Sequence, residues 1–253
     1  MQLFVFHRTL PLDSEAIRAG IDGVIVDLEK KNKIERQSGF DTQINQHSIN
    51  DIINLKKLDP SIYIICRTES ISNTNKNEIQ AIIDAGADEI LIPMVKKRHE
   101  INTALSWLSN QIPLSIMLET KDILQEISAL PFVHIKRAYI GLNDLHISRE
   151  TSSLFDAFTD GTVDKIFEQV NGRTQLGVAG ITVPSGGYPI PAKYLMSELL
   201  RLTADFTFLR RSYFKDTVSI SQEEAINAIK TCLDSMPVNS VEDLSKYLKK
   251  ESR

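Results

Sequence analysis

The sequence predicts an α/β protein that forms one (β/α)8 barrel, the TIM-barrel fold, over the whole chain from 1 to 253. The length of 253 residues is typical of a single barrel of this kind. Eight short apolar runs alternate with longer amphipathic segments, which indicates repeated βα units and a parallel sheet. An open doubly wound sheet is the alternative, but the first run is followed by "HRTLPLD" and not by a glycine-rich phosphate turn.

The eight apolar runs are the predicted strands. Several are apolar throughout, as expected for parallel strands that are covered on both faces. In chain order they are "LFVF" from Leu3, "GVIVDL" from Gly23, "IYIICR" from Ile62, "EILIPM" from Glu89, "PLSIML" from Pro113, "RAYIGL" from Arg137, "QLGVAGIT" from Gln175 and "FTFLRR" from Phe206.

The segments between these runs carry apolar residues at three- and four-residue spacing, which predicts amphipathic helices. In the first helix, "DSEAIRAG", Asp13 is predicted to be the N-cap and Gly20 to end the helix. The longer stretch 148–173 is predicted to contain a loop and a helix. The stretch "NSVEDLSKYLKKESR", residues 239–253, is predicted to form an extra C-terminal helix.

Composition excludes several classes of partner. The net charge of −4 argues against a nucleic-acid-binding protein, and no apolar run approaches the roughly 18 residues of a membrane span. Cys66 and Cys232 are far apart and lack metal-ligand spacing, which is typical of reduced thiols in a cytoplasmic protein. The N-terminus lacks the pattern of a signal peptide. We therefore expect a cytoplasmic protein with a small-molecule partner, and neither nucleic acid nor membrane.

The chemistry of a (β/α)8 barrel lies at the carboxyl ends of its strands. Each predicted strand brings polar or otherwise notable residues to that end. In chain order they are His7, Arg8, Asp27, Glu29, Arg67, Glu69, Pro93, Met94, Glu119, Asn143, Asp144, Thr182, Arg210 and Arg211.

Two of these carboxylates, Glu119 and Asp144, follow neighbouring strands. Such a pair would repel unless it shared a proton or bound a cation, and Mg²⁺ accepts one or two protein carboxylates alongside substrate oxygens. The guanidinium of Arg67 and the backbone N–H groups of 141–143 suit a substrate carboxylate or an enolate oxygen. In the alternative interpretation, Asp144 is a helix N-cap and Glu119 an exposed first-turn residue.

An ordered series of motifs resembles a known family. "GVIVDLE", "ICRTES", "AGADEILIPMV", "IMLET" and "YIGLNDL" occur in the order and spacing of the 4-hydroxy-2-oxo acid aldolase and citrate lyase β-subunit family, over roughly residues 3–216. The resemblance implies a barrel of the pyruvate and phosphoenolpyruvate superfamily, with Mg²⁺ or Mn²⁺ bound. It also implies formation or cleavage of a carbon–carbon bond next to a carboxylate-bearing enolate, and a ring-shaped homo-oligomer.

The resemblance also assigns roles to individual residues. Glu119 and Asp144 match the two metal ligands, and Arg67 matches the arginine that binds the substrate oxygens. Gly141, Leu142 and Asn143 match the backbone stretch that receives the substrate carboxylate. Glu29 matches an acid that lies either in the active site or behind the residues that contact the metal and the substrate.

Two positions depart from the family pattern. Lys30 stands where the aldolase branch has a histidine linked to its acid/base step, and Met117 stands where that branch has a glutamine. The candidates for the missing base are Lys30, His7, His146 or a water molecule on the metal. A histidine in the position of His146 is more often a surface or capping residue, and His7 has the alternative of pairing with a neighbouring acid.

Thr182, Arg210 and Arg211 follow the last two strands, together with the loop "VPSGGYPIP". Loops of these strands often bind phosphate in barrels of this kind, and arginines bind phosphate or carboxylate. The alternative is that the arginines pair with Asp205 or Asp216.

The leading hypothesis is a divalent-metal-dependent carbon–carbon lyase or aldolase that acts through a pyruvate-type enolate on a 2-oxo acid, phosphorylated or not. A phosphoenolpyruvate-using enzyme and a non-catalytic binder of an acidic metabolite are the alternatives.

Overall fold

A computed structural model describes residues 1–30, 46–236 and 244 of the chain. Within them, eight parallel strands close into a barrel in which each strand pairs with its neighbours in chain order and β8 pairs with β1. The predicted fold is therefore confirmed. The strands are β1 (Gln2–Phe6), β2 (Gly23–Asp27), β3 (Ile64–Arg67), β4 (Glu89–Ile92), β5 (Leu114–Leu118), β6 (Ile135–Ile140), β7 (Gln175–Ile181) and β8 (Phe206–Leu209).

Helices follow the strands along the chain, and two short 3-10 turns precede β6. The described helices are α1 (Leu10–Arg18), α2 (Ile49–Leu58), α3 (Lys76–Asp84), α4 (Arg98–Leu108), α5 (Lys121–Glu126), α6 (Leu142–Arg149), α7 (Asp156–Thr159), α8 (Thr162–Val170), α9 (Ala192–Arg201), α10 (Tyr213–Asp216) and α11 (Gln222–Ser235). None of these helices combines the length and the apolarity that a bilayer span would need.

Alternation along the strands separates two apolar layers. One set of side chains packs between strands and helices, for example Leu3, Val5 and Val24. The other set fills the barrel interior and consists of Phe4, Ile25, Ile65, Leu91, Met117, Tyr139, Phe206 and Phe208. Because side chains two positions apart share a face of a strand, the residues two beyond this interior set also face inward where the strands end. These residues include Asp27, Arg67, Glu119, Gly141 and Arg210.

The amino-terminal end of the barrel interior is closed by a buried polar group around Glu89. Its carboxylate accepts hydrogen bonds from Ser115 Oγ at 2.5 Å and Tyr63 Oη at 2.7 Å, and it forms an ion pair with Arg137. Both oxygens of the buried Glu89 carboxylate therefore have partners. Substrate access is therefore expected only from the opposite, carboxyl end.

The structure corrects one helix boundary and refines another. Helix α1 begins at Leu10 with Thr9 as its N-cap, so the predicted N-cap Asp13 is wrong; Asp13 lies buried in the first turn. Gly20 follows α1 with φ +83°, as its predicted place at the helix end requires. The stretch 148–173 holds the end of α6 and two further helices, α7 and α8. Apart from the buried Leu244, the predicted C-terminal helix lies outside the described residues.

Candidate active site at the carboxyl ends of the strands

Arg67 and Asp27 form a two-point ion pair inside the barrel mouth. They are register partners at the ends of β3 and β2. Arg67 Nε donates to Asp27 Oδ1 at 2.8 Å and Nη2 donates to Oδ2 at 2.7 Å. The guanidinium also lies 5.4 Å from the centre of the Phe6 ring. These contacts fix the orientation of the arginine before any ligand binds.

The third nitrogen of the guanidinium has a weaker neighbour. Arg67 Nη1 lies 3.7 Å from Met117 Sδ, and a thioether sulfur is a poor acceptor. In the aldolase branch that the sequence motifs resemble, this position is a glutamine, whose amide oxygen is a stronger acceptor than the Met117 sulfur. Nη1 is therefore the guanidinium nitrogen that can be given up to a substrate oxygen at least cost.

Glu29 is buried beside this pair, with its Oε2 3.7 Å from Arg67 Nε. Burial by itself would lower the pKa of Arg67, but Asp27, Glu29 and Glu119 outweigh that effect and hold the pKa above its ordinary value. Arg67 is therefore a permanent cation that faces three carboxylates.

Glu119 directly follows β5 and is held by backbone on two sides. Met94 donates its N–H to Glu119 Oε1 at 2.8 Å, and Met94 adopts the left-handed conformation at φ 54°. The other oxygen, Oε2, lies against Gly141, where a Cβ atom would overlap it and would also come within 3.0 Å of Met117 Cε. Position 141 therefore requires glycine because the Glu119 carboxylate fills the adjacent space.

Asp144 lies buried in the first turn of α6, whose N-cap is Gly141. The alternative interpretation is therefore wrong at both positions: Asp144 is not the N-cap, and Glu119 is buried instead of exposed. Burial raises the pKa of Glu119 above its ordinary value, and the charges of Asp144 and Glu29 raise it further, against the opposing effect of Arg67. The two predicted metal ligands are thus close enough for the charge of Asp144 to act on Glu119.

The start of α6 offers hydrogen-bond donors at this place. The first intrahelical bond of the helix runs from Leu145 N–H to Gly141 O at 3.0 Å, so the N–H groups of 142–144 have no acceptor within the helix. Asn143 Nδ2 is buried and has no hydrogen-bond partner among the described residues. Such a helix start favours an anionic group.

His7 faces away from the carboxylates of the mouth. Phe6 and Phe4 point into the barrel, so alternation turns His7 towards the helices. Its Nδ1 lies 2.5 Å from Asp13 Oδ2 and its Nε2 lies 3.6 Å from Asp51 Oδ1. Burial opposes protonation, but the two acids outweigh it and raise the pKa of His7. The predicted alternative, pairing with a neighbouring acid, describes His7 in the structure.

The other base candidates are also placed outside the carboxylate cluster. The side chain of Lys30 is exposed, and its backbone N–H donates to Glu69 Oε1 at 2.9 Å. His146 Nδ1 lies 2.9 Å from Thr151 Oγ1, at the far end of α6. Among the predicted catalytic residues, the structure brings together Arg67 and Glu29.

Thr182 and Arg210 lie at the ends of β7 and β8. Arg210 N–H donates to Ile181 O at 2.8 Å, which joins the two strand ends. Arg210 Nε donates to Ser212 Oγ at 2.9 Å, and Ser212 Oγ donates to Asp216 Oδ2 at 2.9 Å. The arginine thus reaches Asp216 through a serine, whereas Arg211 is exposed.

The sequence analysis placed Asp27 at the end of its strand but gave it no role, and it missed His47. Asp27 is the main partner of Arg67, and its inward parity with Ile25 is the signal that could have shown this role. His47 lies between Asp27 and His7, because its Nδ1 accepts the Asp27 N–H at 3.0 Å and the centre of its ring lies 4.9 Å from that of the His7 ring. No local pattern marks His47, since the contact depends on how the chain returns to the barrel before α2.

Comparisons with known proteins support the fold. No family model matches the chain, and no curated protein matches it in sequence. Solved structures do match. An HpcH/Hpal aldolase/citrate lyase family protein from Burkholderia cenocepacia J2315 has a TM-score of 0.63 and 10% identity, covering 86% of this chain and 91% of its own.

Two further solved structures show how wide this similarity is. A variant of the citrate synthase SbnG has a TM-score of 0.58 and 17% identity, covering 86% of this chain and 90% of its own. The 3-hexulose-6-phosphate synthase from Salmonella typhimurium has a TM-score of 0.64 and 14% identity, covering 94% and 100%. At these identities the similarity establishes that this chain has the TIM-barrel fold shared by these proteins.

Proposed function

We propose that this protein is a divalent-metal-dependent carbon–carbon lyase or aldolase that acts through a pyruvate-type enolate on a 2-oxo acid. The observation that carries the proposal is the buried acidic cluster at the barrel mouth. Asp27, Glu29 and Glu119 are buried around Arg67, and Asp144 is buried near Glu119; Arg67 is the one cation in this group among the described residues. With every group ionised, four negative charges would face one positive charge, and a bound divalent cation would relieve this imbalance.

The donor set suits Mg²⁺ or Mn²⁺. We assign the two carboxylates of Glu119 and Asp144 as the ligands, since within the described ranges no group of three or more His, Cys, Asp or Glu side chains could hold a metal ion. Two carboxylates with the remaining positions left to water and substrate are typical of Mg²⁺ sites. When bound, the ion would supply Lewis-acid polarisation of the keto group of the substrate.

In this proposal, two sets of hydrogen-bond donors near Glu119 and Asp144 bind the anionic groups of the substrate. We assign the substrate carboxylate to the N–H groups at the start of α6, where the helix dipole favours negative charge. We assign the oxygen on which the enolate charge develops to Arg67 Nη1, because Nε and Nη2 are occupied by Asp27. Only the interaction with the developing charge accelerates the reaction, since it strengthens in the transition state.

Glu29 is the group that we assign to proton transfer. Its carboxylate is buried, and its Oε2 lies 3.7 Å from Arg67 Nε, the arginine that we assign to the enolate oxygen. His7 is engaged by Asp13, and the Lys30 side chain is exposed. The resemblance of the motifs to the aldolase and citrate lyase family, and the similarity to a solved member of it, support the same reaction class.

Deuterium exchange tests this proposal. The protein is incubated with pyruvate in deuterated water, with Mg²⁺, with Mn²⁺ or with EDTA, and the methyl signal is followed by NMR. We expect metal-dependent loss of the signal, and a decrease of roughly 100-fold or more in its rate for Glu29→Gln, the usual scale of a general base. Metal-dependent binding of 2-oxo acids without exchange would instead indicate a non-catalytic binder.

A further inference from the structure

Two buried polar atoms at the ends of β7 and β8 have no hydrogen-bond partner among the described residues. They are Thr182 Oγ1 and Arg210 Nη2. Buried donors are nearly always bonded, and a buried unpaired donor costs about 1–3 kcal/mol, more when it is charged. A donor pair of this kind at the mouth of a barrel indicates a missing acceptor.

The two side chains lie on the same face of neighbouring strands. Arg210 has the inward parity of Phe206 and Phe208, which fill the barrel interior. On β7, a Cβ atom at Gly180 would lie 2.6 Å from Arg210 Cβ, which places Gly180 on that inward face. Ile181 packs into the outer layer, so Thr182 returns to the inward face. Both donors therefore face the interior at its carboxyl end.

The guanidinium of Arg210 is held in place without a ligand. Its Nε is bonded to Ser212, which is in turn bonded to Asp216. On the other side, a Cβ atom at Gly187 would lie 2.6 Å from Arg210 Nη2, so the loop after β7 packs tightly on the guanidinium. A donor fixed in this way pays little conformational entropy when an anion binds.

The charge of Arg210 is poorly compensated, in contrast to that of Arg67. Burial lowers the pKa of Arg210 below its ordinary value, and Asp216 only partly offsets the burial. Arg67, by comparison, faces three carboxylates. The mouth therefore has an acidic sector at β2, β3, β5 and β6, and a sector with excess positive charge at β7 and β8.

We propose that Arg210 and Thr182 form an anion subsite that binds a phosphate or carboxylate group on the part of the substrate remote from the enolate-forming end. This inference rests on the proposed function only in treating the anion as part of the substrate. It narrows the substrate class to 2-oxo acids, or their aldol partners, that carry a second anionic group. Arg210 Nη2 and Thr182 Oγ1 donate to the oxygens of that group.

Binding of inorganic phosphate, methylphosphonate and acetate in EDTA tests the subsite by calorimetry, or by NMR chemical shifts if the heats are small. No metal and no 2-oxo acid are added, so the outcome does not depend on whether the exchange experiment succeeds. We expect saturable binding to the unmodified protein. Arg210→Gln should weaken it by at least about 30-fold and Thr182→Val by about 10-fold, the scale of charge-assisted hydrogen bonds. Arg18→Gln, an exposed arginine on α1, is the matched charge control and should bind like the unmodified protein.

The use of both Arg210→Gln and Thr182→Val tests whether weaker anion binding is caused only by misfolding. Thr182→Val preserves shape and removes an unpaired hydroxyl, so its thermal stability should equal or exceed that of the unmodified protein while binding weakens. Preference for phosphate and methylphosphonate over acetate identifies a phosphate subsite, and the reverse preference identifies a carboxylate subsite. Equal affinity in the unmodified protein and in both variants would overturn the proposal, as would the absence of saturable binding of all three anions.

Discussion

At the scale of single residues, two inward-facing arginines have opposite environments. Arg67 is held by Asp27 in a two-point ion pair and is close to Glu29, whereas Arg210 has a buried nitrogen with no partner in the described part of the chain. The first arginine belongs to a preformed network with excess negative charge. The second is a preformed donor for an anion. Both arginines face the barrel interior because each lies two residues beyond an inward-facing residue of its strand, but their hydrogen-bond partners differ.

Removing the partner of Arg67 should be costly. Asp27→Asn leaves the buried guanidinium without its carboxylate, and we expect a loss of about 3–5 kcal/mol in the free energy of unfolding, as for other broken buried pairs. Asp164→Asn breaks the more exposed pair with Arg201 and should cost less than about 1 kcal/mol. Urea denaturation measures both variants. Equal losses would show that burial does not give the Arg67 pair its strength.

The raised pKa of Glu119 gives a pH dependence with a defined sign. Between the ordinary glutamate pKa and the raised value, the folded state binds more protons than the unfolded state, so stability falls as pH rises through this window. Glu119→Gln removes this effect. We compare the free energy of unfolding of the variant with that of the unmodified protein, both in EDTA. The difference should shift in favour of the variant by more than about 1.4 kcal/mol between pH 5 and pH 8, which is the free energy of one pKa unit.

Urea unfolding at both pH values measures this gain, with Glu168→Gln as an exposed control that should show none. Addition of Mg²⁺ at pH 8 should stabilise the unmodified protein more than Glu119→Gln, because stabilisation by a ligand that binds only the folded state falls as its affinity falls. A stability difference between the two proteins that is constant with pH would contradict the assignment.

At the scale of elements, strand ends are well predicted by sequence and helix starts are less so. The eight apolar runs correspond to the eight strands, because a continuously apolar run of four to seven residues is typical of a buried parallel strand in an α/β protein. Asp13 has the residue type of an N-cap, yet its carboxylate pairs with His7, and Thr9 is the N-cap of the helix. A contact with the end of β1, six residues earlier in the chain, decided that role, and composition alone does not contain it. The same holds for the pairing of Asp27 with Arg67.

The junction between β6 and α6 depends on the absence of a side chain at position 141. Gly141→Ala would force the Glu119 carboxylate to move, and we expect a loss of about 1–3 kcal/mol in stability, as for overpacked cores, with weaker metal binding. Gly172→Ala is the control, because no atom lies within 4 Å of its Cβ position and its φ of +68° costs about 1–2 kcal/mol. Metal titration should separate the two variants, since only Gly141→Ala should bind Mn²⁺ more weakly. Unchanged binding by Gly141→Ala would show that Glu119 tolerates displacement.

At the scale of the whole molecule, the barrel mouth is divided into an acidic sector and a sector with unpaired donors. The sequence predicted the fold, most of the residues of both sectors and the proximity of Glu119 to Asp144, because parallel strands deliver their ends to one rim. It did not predict which rim residues face inward with a partner and which face outward, as His7 does. The expected homo-oligomer and the metal remain predictions.

Metal binding tests the central claim, that Glu119 and Asp144 form a divalent-metal site, most directly. Mn²⁺ is titrated into the protein at pH 8 and the free ion is measured by electron paramagnetic resonance. We predict one tightly bound Mn²⁺ per chain, displaced by Mg²⁺, with affinity reduced at least about 10-fold in Glu119→Gln and in Asp144→Asn and unchanged in Glu168→Gln. Equal affinity in the double variant Glu119→Gln/Asp144→Asn and in the unmodified protein would contradict the claim.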